Sequence, residues 1–205
     1  MDVAKITDIY KQHVEMLDAI EYERAVRWYA DARRSIFELA GRIGVMPTKA
    51  VEAVAGFNQR LSWEQSLVEA TALLLDPAAY RRSGRHGFMY YLKHGTVAGS
   101  RKLEDFFHAL LGVETAVPID RHMHIFGGCL TEKRYRIYQS AVYRISETLG
   151  LSPSDAQAVI WCGIRKAKGL SPSGGWFDVN SVIEKAYALS QKLHETRVDV
   201  KDITL

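Results

Sequence analysis

Residues 131–168 read TEKRYRIYQSAVYRISETLGLSPSDAQAVIWCGIRKAK, and this stretch decides the fold class. Thr131 to Leu149 is amphipathic at the helical period and stops at Gly150, the residue type that most readily takes the left-handed conformation closing a helix. Ser152-Pro153-Ser154-Asp155 then opens another helix. The serine hydroxyl accepts a first-turn amide, and proline at the first helical position lacks only an N–H that has no helical partner anyway. The second helix carries Val159, Ile160, Trp161 and Ile164 and ends in Arg165, Lys166 and Lys168, cations that favour a helix C-terminus. Helical start and stop signals of this kind, with few alternating β-branched runs anywhere, predict an all-α protein.

The same signals recur upstream. Ala19 to Arg42 predicts one long helix, with Ile20, Val26, Tyr29, Ile36, Phe37, Leu39, Ala40 and Ile43 recurring every three or four residues and Gly41 and Gly44 at its end. Pro47 opens a helix that carries Val51, Val54 and Ala55 inward and breaks at Gly56-Phe57-Asn58-Gln59-Arg60. Ser62-Trp63-Glu64-Gln65 reads as a capping box, so a further helix runs to about Leu75 and closes at Asp76-Pro77. The basic, glycine-punctuated stretch Arg81 to His94 and the segment Arg101 to Leu111 imply a helix, turn and helix, and a helix after Pro118 with Asp120 in its first turn and a last one from about Val179 to His194 complete the set. Ser171-Pro172-Ser173-Gly174-Gly175 is the connector to the last helix, and the final ten residues are expected to dock loosely.

With 205 residues, of which 47% are hydrophobic, the chain can bury its core in one domain or in two small lobes. The expected organisation is a single helical domain over residues 1–205, with residues 1–80 plus the C-terminal helices as one lobe and residues 81–150 as the other. Two cysteines, Cys129 and Cys162, are too few for a four-cysteine metal site and fit a reducing, cytoplasmic setting. The N-terminus lacks the order of a signal peptide, and no apolar run approaches a membrane span. A soluble monomer is expected, with no membrane partner. A net charge of +3 is too mild to name a nucleic-acid partner by itself.

Local charge says more. From Arg81 to Lys102 the positive residues are Arg81, Arg82, Arg85, Lys93, Arg101 and Lys102, with no Asp or Glu among them. Eighteen residues after Lys102 comes Asp120, within Thr115-Ala116-Val117-Pro118-Ile119-Asp120-Arg121-His122-Met123-His124. An aspartate just after a proline reads in two ways: as a cap whose carboxylate takes first-turn amides, or as a catalytic carboxylate. His122 and His124, two apart on an expected helix, point to nearly opposite sides and are not expected to share a metal ion. No metal or cofactor is expected.

Gly99-Ser100-Arg101-Lys102 followed by Val117-Pro118-Ile119-Asp120-Arg121-His122-Met123 resembles the helix-hairpin-helix DNA glycosylases, particularly the 8-oxoguanine type, in which a Gly-x-Lys hairpin precedes a Val-Pro-Val-Asp-x-His-Met segment. The likeness covers about Asn58 to Met123, and the second motif is the sharper. The hairpin departs from the pattern, since Gly95 and Gly99 are four apart and one extra residue precedes the lysine. The Asp-Arg-His segment and the Gly-Leu-Ser-Pro helix start also resemble uncharacterised phage and actinobacterial proteins, a likeness that brings no activity with it.

The glycosylase resemblance implies a two-lobed helical fold around a DNA-binding cleft and excision of a damaged or modified base. Asp120 would stabilise positive charge developing on the sugar, or activate the nucleophile. Lys102, with its pKa depressed by Arg101 and burial, would attack the sugar and form a Schiff base, or would only contact a phosphate. Gly99, Ser100 and Arg101 at the hairpin, with Arg81, Arg82 and Arg85, would hold phosphates; His122 would orient the loop or the strand. Asn58, Gln59 and Arg60 would fill the gap left by the flipped base, unless they are an ordinary helix connector. Phe57, Trp63, Tyr90, Tyr91, Trp161, Trp176 and Phe177 are available to sandwich a base, although most are expected in the core. The alternatives are a DNA base-modifying enzyme of the same superfamily acting on modified thymine or hydroxymethyluracil, and a catalytically silent helical DNA-binding protein. A histidine–aspartate phosphohydrolase fits poorly, because the order here is Asp-Arg-His.

Overall fold

The computed structural model describes residues 2–58, 61–82, 101–127, 130–170 and 174–195. Among these the regular structure is helical throughout, and the fold is all-α. In chain order the helices are α1 (Val3–Val14), α2 (Ala19–Val26), α3 (Trp28–Ile43), α4 (Pro47–Phe57), α5 (Trp63–Leu75), α6 (Pro77–Arg82), α7 (Arg101–Leu111), α8 (Glu132–Leu149), α9 (Pro153–Ala167) and α10 (Val179–Glu195). No described helix is long and apolar enough to cross a membrane.

Sequence signals place most helix ends. Ser62 accepts from the Gln65 amide at 3.3 Å while the Gln65 side chain receives the Ser62 amide, the reciprocal capping box expected there. Ser152 caps α9 through the Asp155 amide at 3.2 Å, Pro153 follows it, and Gly150 ends α8 at φ 65°. The expected helix over 19–42 is two helices instead. Arg27 stands between them at φ −88°, ψ 1°, a backbone conformation that tightens the last turn of α2 and redirects the chain into α3.

The described chain divides into two compact units, residues 1–33 with 104–176 and residues 34–103 with 177–205. Two of their boundaries fall inside α3 and α7, where a helix leaves no Pro, Gly or charge shift to mark them, and the third lies just before α10.

In the first unit α1 lies against α8 and α9, and α2 against α9. Its core holds Ile6, Tyr10, Tyr138, Val142, Ile145, Val159, Ile160 and Ile164, with Val117, Ile119 and Met123 contributed by the α7–α8 connection. The α1–α9 contact depends on a missing side chain. A Cβ at Gly163 would stand 2.2 Å from the His13 carbonyl oxygen, so the two backbones touch there. Cys162 beside it is buried, and burial pushes its thiol up to about 12; Cys129 lies outside the described residues.

In the second unit α5 packs on α4 and α10. Ala50, Val51, Val54 and Phe57 of α4, Leu67, Ala70 and Leu73 of α5, and Val182 and Ala186 of α10 are buried. Ion pairs Lys185–Glu64 and His194–Asp76 tie α10 to the ends of α5.

Candidate functional site around Asp120

No helix follows Pro118. Among the described residues between α7 and α8 there is no α-helix, and Asp120 begins a short turn. The reason lies in where the backbone groups of this segment find partners. The Ile119 amide donates to the Tyr135 hydroxyl at 3.0 Å, and the Val117 carbonyl accepts from Gln139 at 3.0 Å. The Met123 carbonyl accepts from the Tyr10 hydroxyl at 2.8 Å, and the Phe126 amide donates to the Tyr138 hydroxyl at 3.3 Å. Side chains of α1 and α8 thus satisfy groups that an α-helix would pair internally. Asp105 of α7 locks two of these anchors, accepting from Tyr135 at 2.8 Å and from Gln139 at 2.9 Å.

Asp120 is half-buried, and its carboxylate is fixed at both oxygens. Oδ1 accepts the His122 amide at 2.7 Å and the Met123 amide at 3.0 Å; Oδ2 accepts the Trp161 indole N–H at 2.9 Å. The capping chemistry expected of this aspartate is present, applied to a turn instead of a helix. Trp161, on α9, also meets the edge of Trp28 at 6.1 Å between ring centres and carries the Arg165 guanidinium over its face at 4.8 Å. Behind the turn, Gln157 donates to the Met123 sulfur at 3.2 Å and accepts from the Tyr29 hydroxyl at 2.7 Å. Burial first, and the Asp120 carboxylate second, hold the Tyr29 hydroxyl well above its ordinary range. Burial, Tyr138 and Asp120 act in that order on Tyr10. Both phenols therefore stay protonated donors.

His122 is half-buried. Burial lowers its pKa, as do Lys168, Arg121 and Arg165, against an opposing pull from Asp120. The Lys168 ammonium reaches it at 3.5 Å from Nδ1 and 3.4 Å from its carbonyl oxygen. His124 is lowered too, by burial and then by Arg134, and its ring stands edge-on to Tyr138 at 5.2 Å. Because this segment is a turn, the helical spacing argument about the two histidines does not apply. Among the described residues, no group of three His, Cys, Asp or Glu side chains is placed to hold a metal ion.

Of the residues singled out in the sequence, Asp120 and His122 come together. Lys102 is half-buried and Arg101 exposed, both in the first turn of α7. Asn58 follows α4 as its C-cap and donates to the Ser66 hydroxyl at 3.3 Å, the helix-connector role. Arg81 and Arg82 belong to α6; Gln59, Arg60, Arg85, Gly99 and Ser100, with Tyr90 and Tyr91, lie outside the described residues. Phe57 and Phe177 are buried, Trp161 is at the site, and Trp176 is 64% exposed. Sequence reasoning did not single out Lys168, Arg165 or the tyrosine anchors. The only available signal, a run of cations ending α9, has an ordinary explanation in the helix dipole.

Residues 3–168 match a family of unknown function, DUF7178. The chain belongs to this family. The DUF7178 match takes in the Asp120 turn, Trp161 and the cations through Lys168, while α10 lies beyond it. No curated protein and no solved structure matches this DUF7178 chain.

Proposed function

We propose that this protein is a DNA glycosylase-like enzyme that excises a damaged or modified base, with Asp120 as its catalytic carboxylate. The observation that carries the reading is a carboxylate held at both oxygens by N–H donors on a half-buried residue, with Lys168, Arg165 and Arg121 arrayed about the neighbouring His122. Breaking an N-glycosidic bond leaves positive charge on the sugar as the base departs with the bonding pair. A fixed carboxylate stabilises that charge without reorganising, and nearby cations draw in the polyanionic strand.

Water activated at Asp120 would complete a simple hydrolysis. In the bifunctional version, the Lys102 amine attacks C1′, the base departs with the glycosidic bonding pair and takes up a proton, and the C1′–O4′ bond of the sugar opens to leave a Schiff base. With this reading go the flipped nucleotide, two helical lobes flanking the DNA, and phosphate contacts from the basic stretch between Arg81 and Lys102.

The test is a panel of labelled duplexes bearing 8-oxoguanine, uracil and hydroxymethyluracil, with borohydride present. Asp120→Asn should lower base release by at least about 100-fold, a loss typical for removing a fixed electrostatic group, while DNA binding is kept. A trapped adduct that disappears in Lys102→Ala assigns the lyase step. A product of altered mass with the base still attached would select the modifying enzyme instead.

One observation favours a second reading, a silent helical DNA-binding protein: Asp120 already receives three N–H donors, as a purely capping carboxylate would. That reading expects salt-sensitive binding and no product from any duplex.

A further inference from the structure

The three cations that end α9 do different things. Lys166 is occupied: its ammonium pairs with Glu21 of α2, itself half-buried. Arg165 is spread over the Trp161 ring. Lys168, the exposed C-cap of α9, reaches the Asp120 turn, where among the described residues it meets a ring nitrogen and a carbonyl of His122, at 3.5 and 3.4 Å. These are long contacts to uncharged acceptors, and an ammonium gains more from an anion at ordinary hydrogen-bonding distance. Among the described residues, no carboxylate forms an ion pair with Lys168 or with the exposed Arg121.

An ammonium only donates, so where Lys168 bonds Nδ1 the neutral His122 ring carries its proton on Nε2. The turn thus has Arg121 and a histidine within two residues of Asp120, and Lys168 brought to it from α9. A singly charged phosphodiester complements this set. Free phosphate, partly dianionic near neutral pH, would in that form meet more repulsion from the adjacent carboxylate.

We propose that Lys168, Arg121 and His122 form a seat for a backbone phosphodiester of the DNA strand whose nucleotide is presented to Asp120. The proposal rests on the nucleic-acid reading of the Asp120 site and adds to it the group that fixes the strand's register there. Such a contact positions the strand and carries no sequence preference.

The experiment is fluorescence anisotropy of the full chain with a labelled DNA duplex across a salt series. Lys168→Gln should weaken binding about 10-fold and reduce the slope of log K against log salt by about 0.9, the signature of one lost phosphate contact. Lys168→Arg should restore both. Lys11→Gln, which removes an exposed cation on α1, should leave the slope unchanged. If the unmodified protein binds no DNA, the nucleic-acid reading falls and the seat with it. If it binds but Lys168→Gln keeps its affinity and slope, or Lys11→Gln loses as much, the seat alone is overturned. Saturable binding of inorganic phosphate by a protein that ignores the duplex would make the cluster a free-phosphate site and overturn the proposal.

Discussion

The α4–α5–α10 layer and the Asp120 turn are built on opposite principles. In the first, each helix carries its own instructions: Ser62 and Gln65 cap each other across three residues, Pro47 starts α4, and an apolar stripe at helical spacing supplies the contact face. In the second, the backbone is held by side chains from far away in sequence, the hydroxyl of Tyr10 reaching Met123 across 113 residues. Local rules specify a helix pair; an irregular loop has to be specified by the tertiary structure that surrounds it.

That contrast can be broken most sharply with two glycines. Gly163→Val in α9 forces a side chain into the His13 carbonyl and should cost about 3 kcal/mol or more, the upper end for overpacking a tight contact. Gly41→Ala in α3, where nothing lies within 4 Å of the new Cβ, should stabilise by about 0.5–1 kcal/mol through helix propensity. Urea denaturation of the two variants reads both signs, and equal destabilisation would mean that the α1–α9 contact is looser than described.

Next in size is a comparison of anchors. Tyr10→Phe leaves the Met123 carbonyl without its buried donor and should cost about 1–3 kcal/mol, against about 1 kcal/mol for loss of the Ser62 cap in Ser62→Ala. Tyr10→Phe should also change the Trp161 near-ultraviolet signal, because it releases the turn that Trp161 holds; Ser62→Ala should not. If Ser62→Ala disturbs that signal equally, the turn is not specified by its distant anchors.

The smallest effect is pH dependence. His122 and His124 titrate below their unfolded value near 6.5, so the unfolded chain takes up protons first. Their neutral forms therefore contribute stability that is fully present above about pH 6.5 and is lost as pH falls through that value towards the lower folded ones. The urea midpoint should drop between about pH 7.5 and pH 5.5, and the drop should shrink in a His122→Gln, His124→Gln double variant. An undiminished drop would place the proton uptake elsewhere.

Most helices were legible because their signals are local: Gly150, Ser152-Pro153 and the Ser62 box act within one turn of chain. The chemistry of Asp120 was legible in kind, since a short carboxylate after Pro118 does take the next amides. Its setting was not. A helix was expected after Pro118, and nothing in residues 117–126 announces that Tyr135, Gln139 and Tyr10 will claim its backbone groups. Trp161, 41 residues on, carries no mark of an indole N–H aimed at a carboxylate. Lys168 is likewise hidden, because a cation after a helix has a sufficient local reason to be there.

The side-chain anchoring of the Asp120 turn bears on how the molecule opens. Loop amides ordinarily exchange with solvent through small, frequent fluctuations. Those of Ile119 and Met123 belong to buried residues and donate to a tyrosine on α8 and to a carboxylate held by α9. Freeing them requires the turn to come away from these helices. In a deuterium-exchange time course the turn should behave as part of the slowest-opening unit, while keeping the irregular backbone of a loop.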